Sequence, residues 1–467
     1  MPEIWFGGET ALSGGNRSRA LRGRTMELGQ LKKQLGALRE GYACSCGRTH
    51  RVSIADIEIK RDLLAGIPDK LRGLGLGRSV HLVADSNTML AAGWDVEAAL
   101  DGAGFDITKT VFATTVDRDL VPDEHSLAGL LLEVPKSAEV ILAVGSGTIT
   151  DLVRAVAHRL GKPFVSVPTA PSMDGYASTV APLVVGGFKR TFPAGPPLAI
   201  YADLDVLCKA PSQMIVAGFG DLLGKYTARA DWQLSRIIDG EYYCQASLDL
   251  MTAALDQCTG NPEGLSKREP SLIRGLMEGL ILSGIAITMA GNSRPASGAE
   301  HLLAHYWEMR SLGEGVHYHL HGTKVGVATP LILGIYEKVL ATDPSTIDSA
   351  FLGKCHLAPG ETEKLVRNHF GPMAEEILKE SSEKRLTWNA REERIRLLLS
   401  RWDEVQSAVA WLPKPEVITG MLELAGADST PEALGLPLGW VEDALVYARH
   451  LRARYTILDM AAEIGIL

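Results

Sequence analysis

The strongest constraint on the fold is an alternation of short apolar runs with amphipathic stretches between residues 79 and 167. Strands that alternate with helices form βαβ units around a parallel sheet. The apolar runs lie at 80–84, 110–115, 140–144 and 164–167, and the helical patterns between them lie near 90–100, 127–134 and 149–160. We therefore predict an α/β domain with a Rossmann-like parallel sheet, and ligands at the carboxyl ends of its strands.

The second half of the chain has a different pattern, because long helical stretches replace the short strands after about residue 211. The predicted helix starts are Ser212, Pro262, Ser345, Pro415 and Pro431. Residues 1–25 are rich in Gly, Arg and Ser and are expected to form a mobile leader. The predicted organisation is a leader at 1–25, an α/β domain at 26–210 and an all-helical domain at 211–467.

Charge and hydrophobicity exclude several classes of protein. The 47 Lys and Arg residues and 56 Asp and Glu residues give a formal net charge of −9, with no basic block, which argues against a nucleic-acid partner. No run reaches the roughly 20 apolar residues needed to span a bilayer, and the first residues lack a signal-peptide pattern. The six cysteines form no disulfide framework. We expect a globular cytoplasmic protein without a membrane span.

A strand-to-helix turn is the first candidate site. The run 140–144 leads into Gly145, Ser146, Gly147 and Thr148, and a helical pattern begins at Ile149. Two glycines there let the backbone approach an anion, and a helix N-terminus supplies N–H groups and a positive dipole end. The pyrophosphate of a dinucleotide would fit, although a plain tight turn is the alternative and the third glycine of the Rossmann motif is missing.

Two further segments end predicted strands on the same side. Asp85 could hold an adenosine ribose or could cap the helix that follows. The loop 167–178 carries small polar side chains, and loops at that edge bring hydroxyls and carboxylates to a ligand. Its polar candidates are Thr169, Ser172, Asp174 and Ser178.

The second half carries a candidate metal site. Asp221 lies among glycines and apolar residues, His301 and His305 are four residues apart on one helical face, and His321 closes a short histidine cluster. One carboxylate with imidazoles suits a divalent metal that keeps a position open for substrate. The alternative is that these histidines belong to a helix face or a core.

These motifs, in this order, resemble those of bacterial sn-glycerol-1-phosphate dehydrogenases, which belong to the iron-containing alcohol dehydrogenase and dehydroquinate synthase superfamily. The resemblance covers about residues 55–340 and resumes near the C-terminus at 444–459. The matching motifs are Gly145-Ser-Gly-Thr-Ile149-x-Asp151, Pro168-Thr-x-x-Ser172-x-Asp174-Gly-x-x-Ser178, Gly218-x-Gly-Asp221, Gly298-x-Glu-His301-x-x-x-His305 and His321-Gly.

The resemblance implies a dehydroquinate synthase-like fold and a metal-dependent reduction of dihydroxyacetone phosphate by NADH or NADPH, which yields a glycerophospholipid precursor. It implies cofactor contacts from Gly145–Ile149, Thr169, Ser172 and Ser178, and substrate contacts from Asp174, Asp221 and His305. It implies that Asp221, His301 and His321 bind one divalent metal, zinc or nickel, and that Asp221 and His305 are catalytic. We also expect a homo-oligomer, a dimer or larger.

Several alternatives stay open at this point. A dehydroquinate synthase-like cyclase, a glycerol dehydrogenase and a non-catalytic nucleotide-binding protein would share parts of the pattern. Lys225 could contact the substrate phosphate or be exposed to solvent. Cys44, Cys46 and His50 could form a metal knuckle, but a structural zinc normally needs four ligands, so a solvated turn is expected.

Overall fold

A computed structural model describes residues 35–36, 38–114, 120–186, 188–314 and 319–467. The predicted leader at 1–25 lies outside the described residues, and so does His317, part of the short histidine cluster that ends at His321. Packing divides the chain into two compact units, Met1–Leu222 with Cys244–Asn292, and Leu223–Tyr243 with Ser293–Leu467. The predicted functional domains stay a prediction, since these units reflect packing alone.

The first unit contains, among the described residues, a six-stranded sheet in the order β3-β10-β7-β6-β4-β5, and its pairings are parallel. Two antiparallel hairpins accompany it, β1 with β2 and β8 with β9. The prediction of a parallel α/β domain is confirmed. The strands are β1 (Tyr42–Ala43), β2 (Thr49–His50), β3 (Asp56–Lys60), β4 (Ser79–Asp85), β5 (Asp106–Phe112), β6 (Val140–Gly145), β7 (Phe164–Pro168), β8 (Val180–Val185), β9 (Phe188–Pro193) and β10 (Ala199–Asp203).

Helices make up the regular structure described after β10, as predicted for the second half. In chain order, including those that precede β10, the α-helices are α1 (Ile67–Gly73), α2 (Ser86–Thr88), α3 (Trp94–Gly102), α4 (Glu124–Glu133), α5 (Gly147–Leu160), α6 (Leu204–Cys208), α7 (Ser212–Leu223), α8 (Lys225–Asp239), α9 (Gln245–Asp256), α10 (Glu263–Ser266), α11 (Pro270–Ala290), α12 (Ala299–Glu314), α13 (His321–Leu340), α14 (Ser349–Lys354), α15 (Pro359–Phe370), α16 (Ala374–Glu380), α17 (Trp388–Ser400), α18 (Trp402–Val409), α19 (Pro415–Leu424), α20 (Leu438–Tyr447) and α21 (Ile457–Glu463).

Helix starts at Ser212 and Pro415 are confirmed, and Pro262 precedes the short helix α10. Ser345 lies instead in a 3₁₀ turn. The predicted helix start at Pro431 is wrong, because Leu436 donates a backbone hydrogen bond to the Pro431 carbonyl and closes a turn.

The strand order brings three predicted cofactor segments to one edge. Strands β7, β6 and β4 are adjacent and parallel, so their carboxyl ends meet there. β6 is buried along its whole length, as expected for a parallel strand that helices cover on both faces. Asp85, Gly145 and Pro168 end these strands and fix where the following loops begin.

The hairpin of β1 and β2 corrects the prediction of a solvated turn. Cys44 and Cys46 lie in its loop and are half-buried, whereas the side chain of His50 is buried. Gly47 turns the loop with a positive φ of 84°, which favours glycine.

Helix α11 is long and apolar enough to cross a membrane by length and composition. However, 83% of its most apolar window is buried inside the protein, which fits the core helix of a soluble protein. Its glycines allow close packing on neighbouring backbone, since a Cβ at Gly275 would lie 2.5 Å from the Gln257 carbonyl oxygen and one at Gly279 2.7 Å from that of Ala254. This helix is therefore part of the core of the first unit.

The second unit is held together by a fully buried carboxylate, Asp231 of α8. It accepts hydrogen bonds from the backbone N–H of Ala299 at 2.7 Å, from the N–H of Ile457 at 2.8 Å and from the Tyr336 hydroxyl at 2.7 Å. Burial and the nearby charge of Glu300 raise the pKa of Asp231 to about 7. One side chain thus joins α8 to the starts of α12 and α21 and to α13.

We expect Asp231→Ala to lower the free energy of unfolding by about 3 kcal/mol or more, because it strands three buried donors. Tyr336→Phe removes one donor and should cost only about 1 kcal/mol. Urea unfolding of both variants measures the two effects. Equal losses in the two variants would contradict the joining role of Asp231.

Candidate functional site

In the strand-to-helix turn, space rather than an unusual dihedral angle requires glycine at position 145. A Cβ at Gly145 would lie 2.6 Å from the Ile149 Cβ, so the turn closes only without a side chain there. Gly147 opens α5, and its added Cβ would meet only the flexible Met173 side chain, at 3.3 Å. Ser146, Gly147 and Thr148 are partly exposed at the helix N-terminus. This is the geometry that an anion site at a helix start needs.

Asp85 shows the hydrogen bonds of a helix cap. Its carboxylate accepts from the N–H of Asn87 at 2.9 Å and from that of Thr88 at 2.8 Å, and the Thr88 hydroxyl accepts from the Asp85 N–H. The capping interpretation therefore accounts for Asp85 in the structure. A ribose contact stays a prediction.

The loop after β7 is held by a buried arginine that the sequence analysis did not identify. Arg154 of α5 pairs with Asp151 at 2.5 Å and donates to the carbonyls of Gly175, Tyr176 and Val180. Within this loop Thr169 and Ser178 are buried, and Ser172 lies 3.4 Å from the Tyr176 hydroxyl. Helix α5 thus begins at the candidate anion site with Gly147 and holds the loop after β7 through Arg154.

Asp174 and Asp221 are brought together in the first unit. The Asp174 N–H donates to the Asp221 carboxylate at 3.0 Å, and the Ser283 hydroxyl donates to the Asp174 carboxylate at 2.8 Å. A Cβ at Gly218, one turn before Asp221, would lie 1.9 Å from the Pro171 carbonyl oxygen. The glycine of the Gly218-x-Gly-Asp221 motif therefore permits the loop to reach α7.

Three of the predicted histidines cluster in the second unit. The ring centroids of His301 and His305 lie 5.2 Å from that of His321, and the two are 6.1 Å apart. His301 and His321 each offer a ring nitrogen within 4.8 Å of the other. The three histidines of this pattern thus lie close together in the second unit.

Each predicted histidine ligand is oriented by a buried carboxylate. Nδ1 of His301 is 2.7 Å from the Glu300 carboxylate, and Nδ1 of His321 is 2.8 Å from that of Glu308. Because a carboxylate only accepts, Nδ1 donates and Nε2 is left as the unprotonated nitrogen that a metal binds. The same Glu308 lies 3.2 Å from Nδ1 of His305. His305, Glu308 and His321 also meet closely enough to hold a metal by themselves.

The carboxylates are themselves satisfied. Glu300 is fully buried and accepts from the Thr227 hydroxyl and from the Gly298 N–H. Burial alone would raise the pKa of Glu300, but the hydrogen bonds that it accepts from His301, Thr227 and Gly298 together outweigh burial and lower the pKa. Sequence patterning could not single out Glu300 and Glu308, because a glutamate on a helix is usually solvated.

Two lysines are buried in the second unit. The solvent-exposed alternative for Lys225 is wrong, since it is fully buried and donates to the Ala296 carbonyl at 3.1 Å. Lys324 is buried too, and donates to the His319 carbonyl at 2.8 Å with the Glu308 carboxylate 3.4 Å away. Nε2 of His319 lies 2.8 Å from the Leu434 carbonyl.

Known proteins resemble this chain in sequence and in structure. A family model described as iron-containing alcohol dehydrogenase matches residues 58–211. The NAD(P)+ glycerol-1-phosphate dehydrogenase of Halalkalibacterium halodurans is 42% identical over 302 residues, which is 64% of this chain and 75% of that protein. The enzyme of the same name from Geobacillus stearothermophilus is 35% identical over 424 residues, 90% of this chain and 96% of that protein.

Among solved structures, a probable glycerol dehydrogenase from Sinorhizobium meliloti 1021 aligns with a TM-score of 0.57 at 15% identity, covering 88% of this chain and 96% of the other. That likeness confirms the predicted fold and no more. The identity to the two curated relatives over most of their lengths shows that the chain belongs to the glycerol-1-phosphate dehydrogenase family.

Proposed function

We propose that the chain reduces the ketone of dihydroxyacetone phosphate with NADH or NADPH, reversibly, to give sn-glycerol 1-phosphate. The observation that carries this proposal is the near-full-length similarity to enzymes of that name. The reaction transfers one hydride from the nicotinamide to the carbonyl carbon and one proton to the oxygen. We further propose that the product serves glycerophospholipid synthesis, and that the enzyme is a cytoplasmic homo-oligomer.

The cofactor site is assigned to the carboxyl edge of the sheet. The partly exposed turn Gly145–Ile149 supports a pyrophosphate position, because backbone N–H groups and the α5 dipole both favour an anion. Thr169, Ser172 and Ser178 follow the adjacent strand β7 and are assigned to the rest of the cofactor, and Asp85 to its ribose. Arg154 supports this assignment, since it holds the loop after β7 against α5.

Asp221, His301 and His321 are proposed to hold one divalent metal, zinc or nickel. Their chemistry fits, since each histidine has its Nδ1 engaged by a buried carboxylate and Asp221 is almost wholly buried. When bound, the metal would supply Lewis-acid polarisation of the substrate carbonyl. Glu300 and Glu308 orient the imidazoles and so tune their affinity for the ion.

The substrate contacts are assigned to Asp174, Asp221 and His305. Asp174 is positioned by its hydrogen bonds with Asp221 and Ser283. His305 is only partly buried, and its Nδ1 donates to Glu308, so Nε2 is the nitrogen left for a substrate oxygen and donates to it when the ring is protonated.

The rivals differ in measurable ways. A glycerol dehydrogenase would prefer the unphosphorylated substrate. A dehydroquinate synthase-like cyclase would regenerate its NAD+, and a non-catalytic nucleotide-binding protein would bind the cofactor without turnover.

Incubation with dihydroxyacetone phosphate should oxidise NADH or NADPH and yield the sn-1 enantiomer. Cofactor absorbance and chiral analysis of the product measure both results, with dihydroxyacetone as the matched unphosphorylated control. Faster turnover of dihydroxyacetone, the sn-3 product, or no net cofactor oxidation would each overturn the proposal.

Gly147→Val should raise the KM for NADH by about tenfold, because a branched side chain would obstruct the approach of the pyrophosphate to the α5 N-terminus. Its fold should survive, since only the flexible Met173 lies near the added carbon. Steady-state kinetics measure the effect, with thermal unfolding as the check on folding. An unchanged KM would argue against this turn as the cofactor site.

His301→Ala and His305→Ala should separate metal binding from substrate contact. His301→Ala should lose metal and activity together. His305→Ala should keep its metal and lose transition-state stabilisation of about 2–4 kcal/mol, because a polarised oxygen loses its donor. Elemental analysis and kcat of the purified variants decide the matter. Loss of metal from His305→Ala alone would favour His305, Glu308 and His321 as the ligand set.

A further inference from the structure

A second cluster of metal-binding side chains lies in the first unit. It consists of Cys44, Cys46 and His50 of the β1–β2 hairpin and Cys244, which precedes α9. Cys244 lies almost 200 positions after the hairpin, and the fold brings it to the other three so that the four ligand atoms lie within 4.8 Å of one another. The hairpin sequence contains three of these ligands, and the fold supplies the fourth.

The distances within the cluster match a tetrahedral ion. Around zinc, with its usual bond lengths to sulfur and nitrogen, two sulfurs are about 3.8 Å apart and a sulfur and a nitrogen about 3.6 Å. Here Sγ of Cys44 and Sγ of Cys244 are 3.8 Å apart. Nε2 of His50 is 3.3 Å from Sγ of Cys46 and 3.3 Å from Sγ of Cys244.

His50 is in the tautomer that a metal needs. Nδ1 of His50 lies 2.7 Å from the Met289 carbonyl of α11, and a carbonyl only accepts, so Nδ1 carries the proton. Nε2 is therefore the unprotonated nitrogen, and it is the atom that faces the sulfurs. A backbone carbonyl in this place is a usual partner of a metal-bound imidazole.

Backbone hydrogen bonds and burial hold the cysteines in place. The loop 44–48 is closed by hydrogen bonds from the Cys44 N–H to the Arg48 carbonyl and from the Gly47 N–H to the Cys44 carbonyl, both 3.0 Å. Cys244 is fully buried and is the N-cap residue of α9. Thiols are weak hydrogen-bond donors and acceptors, so three of them converging on one imidazole gain little unless they bind an ion.

We infer that Cys44, Cys46, His50 and Cys244 bind a structural zinc ion, separate from the metal proposed at Asp221, His301 and His321. Three thiolates and one imidazole close a tetrahedral shell and leave no position for substrate, which is the pattern of a structural rather than a catalytic zinc. The ion would fasten the β1–β2 hairpin to α9, while His50 and Arg48 also bond to carbonyls at the end of α11.

Elemental analysis of full-length protein, purified and dialysed without a chelator, tests the inference. Wild type and Cys208→Ser should retain zinc at this cluster, and Cys46→Ser should lose it. Cys208 is the matched control because it is half-buried like Cys46 and lies outside the cluster. His301→Ala should keep this zinc while losing the other metal, so failure of either site is seen independently of the other. Equal zinc in Cys46→Ser and Cys208→Ser would overturn the inference.

Cobalt substitution provides a test that needs no variant. Protein produced in cobalt-supplemented medium should show the sulfur-to-cobalt charge-transfer absorption of thiolate ligands, which a site of carboxylate and imidazoles cannot give. Absence of that absorption from a cobalt-loaded protein would contradict the inference. So would peptide mapping under non-reducing conditions that finds Cys44 joined to Cys244 in a disulfide.

Stability gives a third readout. A strong chelator should lower the unfolding temperature of wild type and of His301→Ala, because a structural zinc contributes directly to folding. Cys46→Ser should start lower and show no response from this cluster. An unfolding temperature of His301→Ala that is insensitive to the chelator would count against the zinc.

Discussion

Buried carboxylates organise the second unit. Asp231 accepts from the N–H groups that open α12 and α21, and from the hydroxyl of Tyr336 on α13. A buried charge is tolerated only when its hydrogen bonds are satisfied, and here those bonds come from parts of the chain far apart in sequence. The start of α12 is thereby fixed, and with it the position of Glu300 and His301. The electrostatic cost of burying Asp231 and Glu300 is offset by the hydrogen bonds that they accept.

In the first unit, close backbone contacts position the residues of the site. Gly218 lets the loop after β7 touch α7, and a Cβ at Gly284 of α11 would lie 2.8 Å from the Asp174 carbonyl oxygen. The loop that carries Asp174 is thus confined between two helices, with Pro171 against Gly218 and Asp174 against Gly284. Arg154 completes the arrangement from α5. Glycines and one buried guanidinium shape this part of the site, while its polar side chains supply the chemistry.

Periodicity predicted the sheet well because parallel strands buried on both faces are continuous apolar runs. The strand β4 and the turn at Gly145 were found in this way. β3 was missed because apolar and charged residues alternate in Asp56–Lys60, and β10 was missed although Ala199–Asp203 is buried throughout. The strand predicted at 110–115 lies at Asp106–Phe112, because its polar start pairs with β4 along the sheet edge.

The candidate site was predictable to the extent that its residues are clustered in sequence or match a family motif. His301, His305 and His321 met both conditions. Glu308 and Arg154 met neither, because their importance arises from burial and from partners that only the fold supplies. Cys244 shows the same limit, since nothing near it in sequence suggests a link to the hairpin.

Helix α11 illustrates how one local pattern serves two environments. Gly275 and Gly279 stand four residues apart in an apolar helix, the spacing that lets transmembrane helices dimerise through their backbones. Here that groove is filled by carbonyls at the end of α9 and just beyond it. Until α9 packs against it, α11 exposes a segment with the length, hydropathy and glycine spacing of a transmembrane helix that dimerises. How soon α9 packs on α11 during synthesis therefore bears on whether the nascent protein folds in water or is captured by a bilayer.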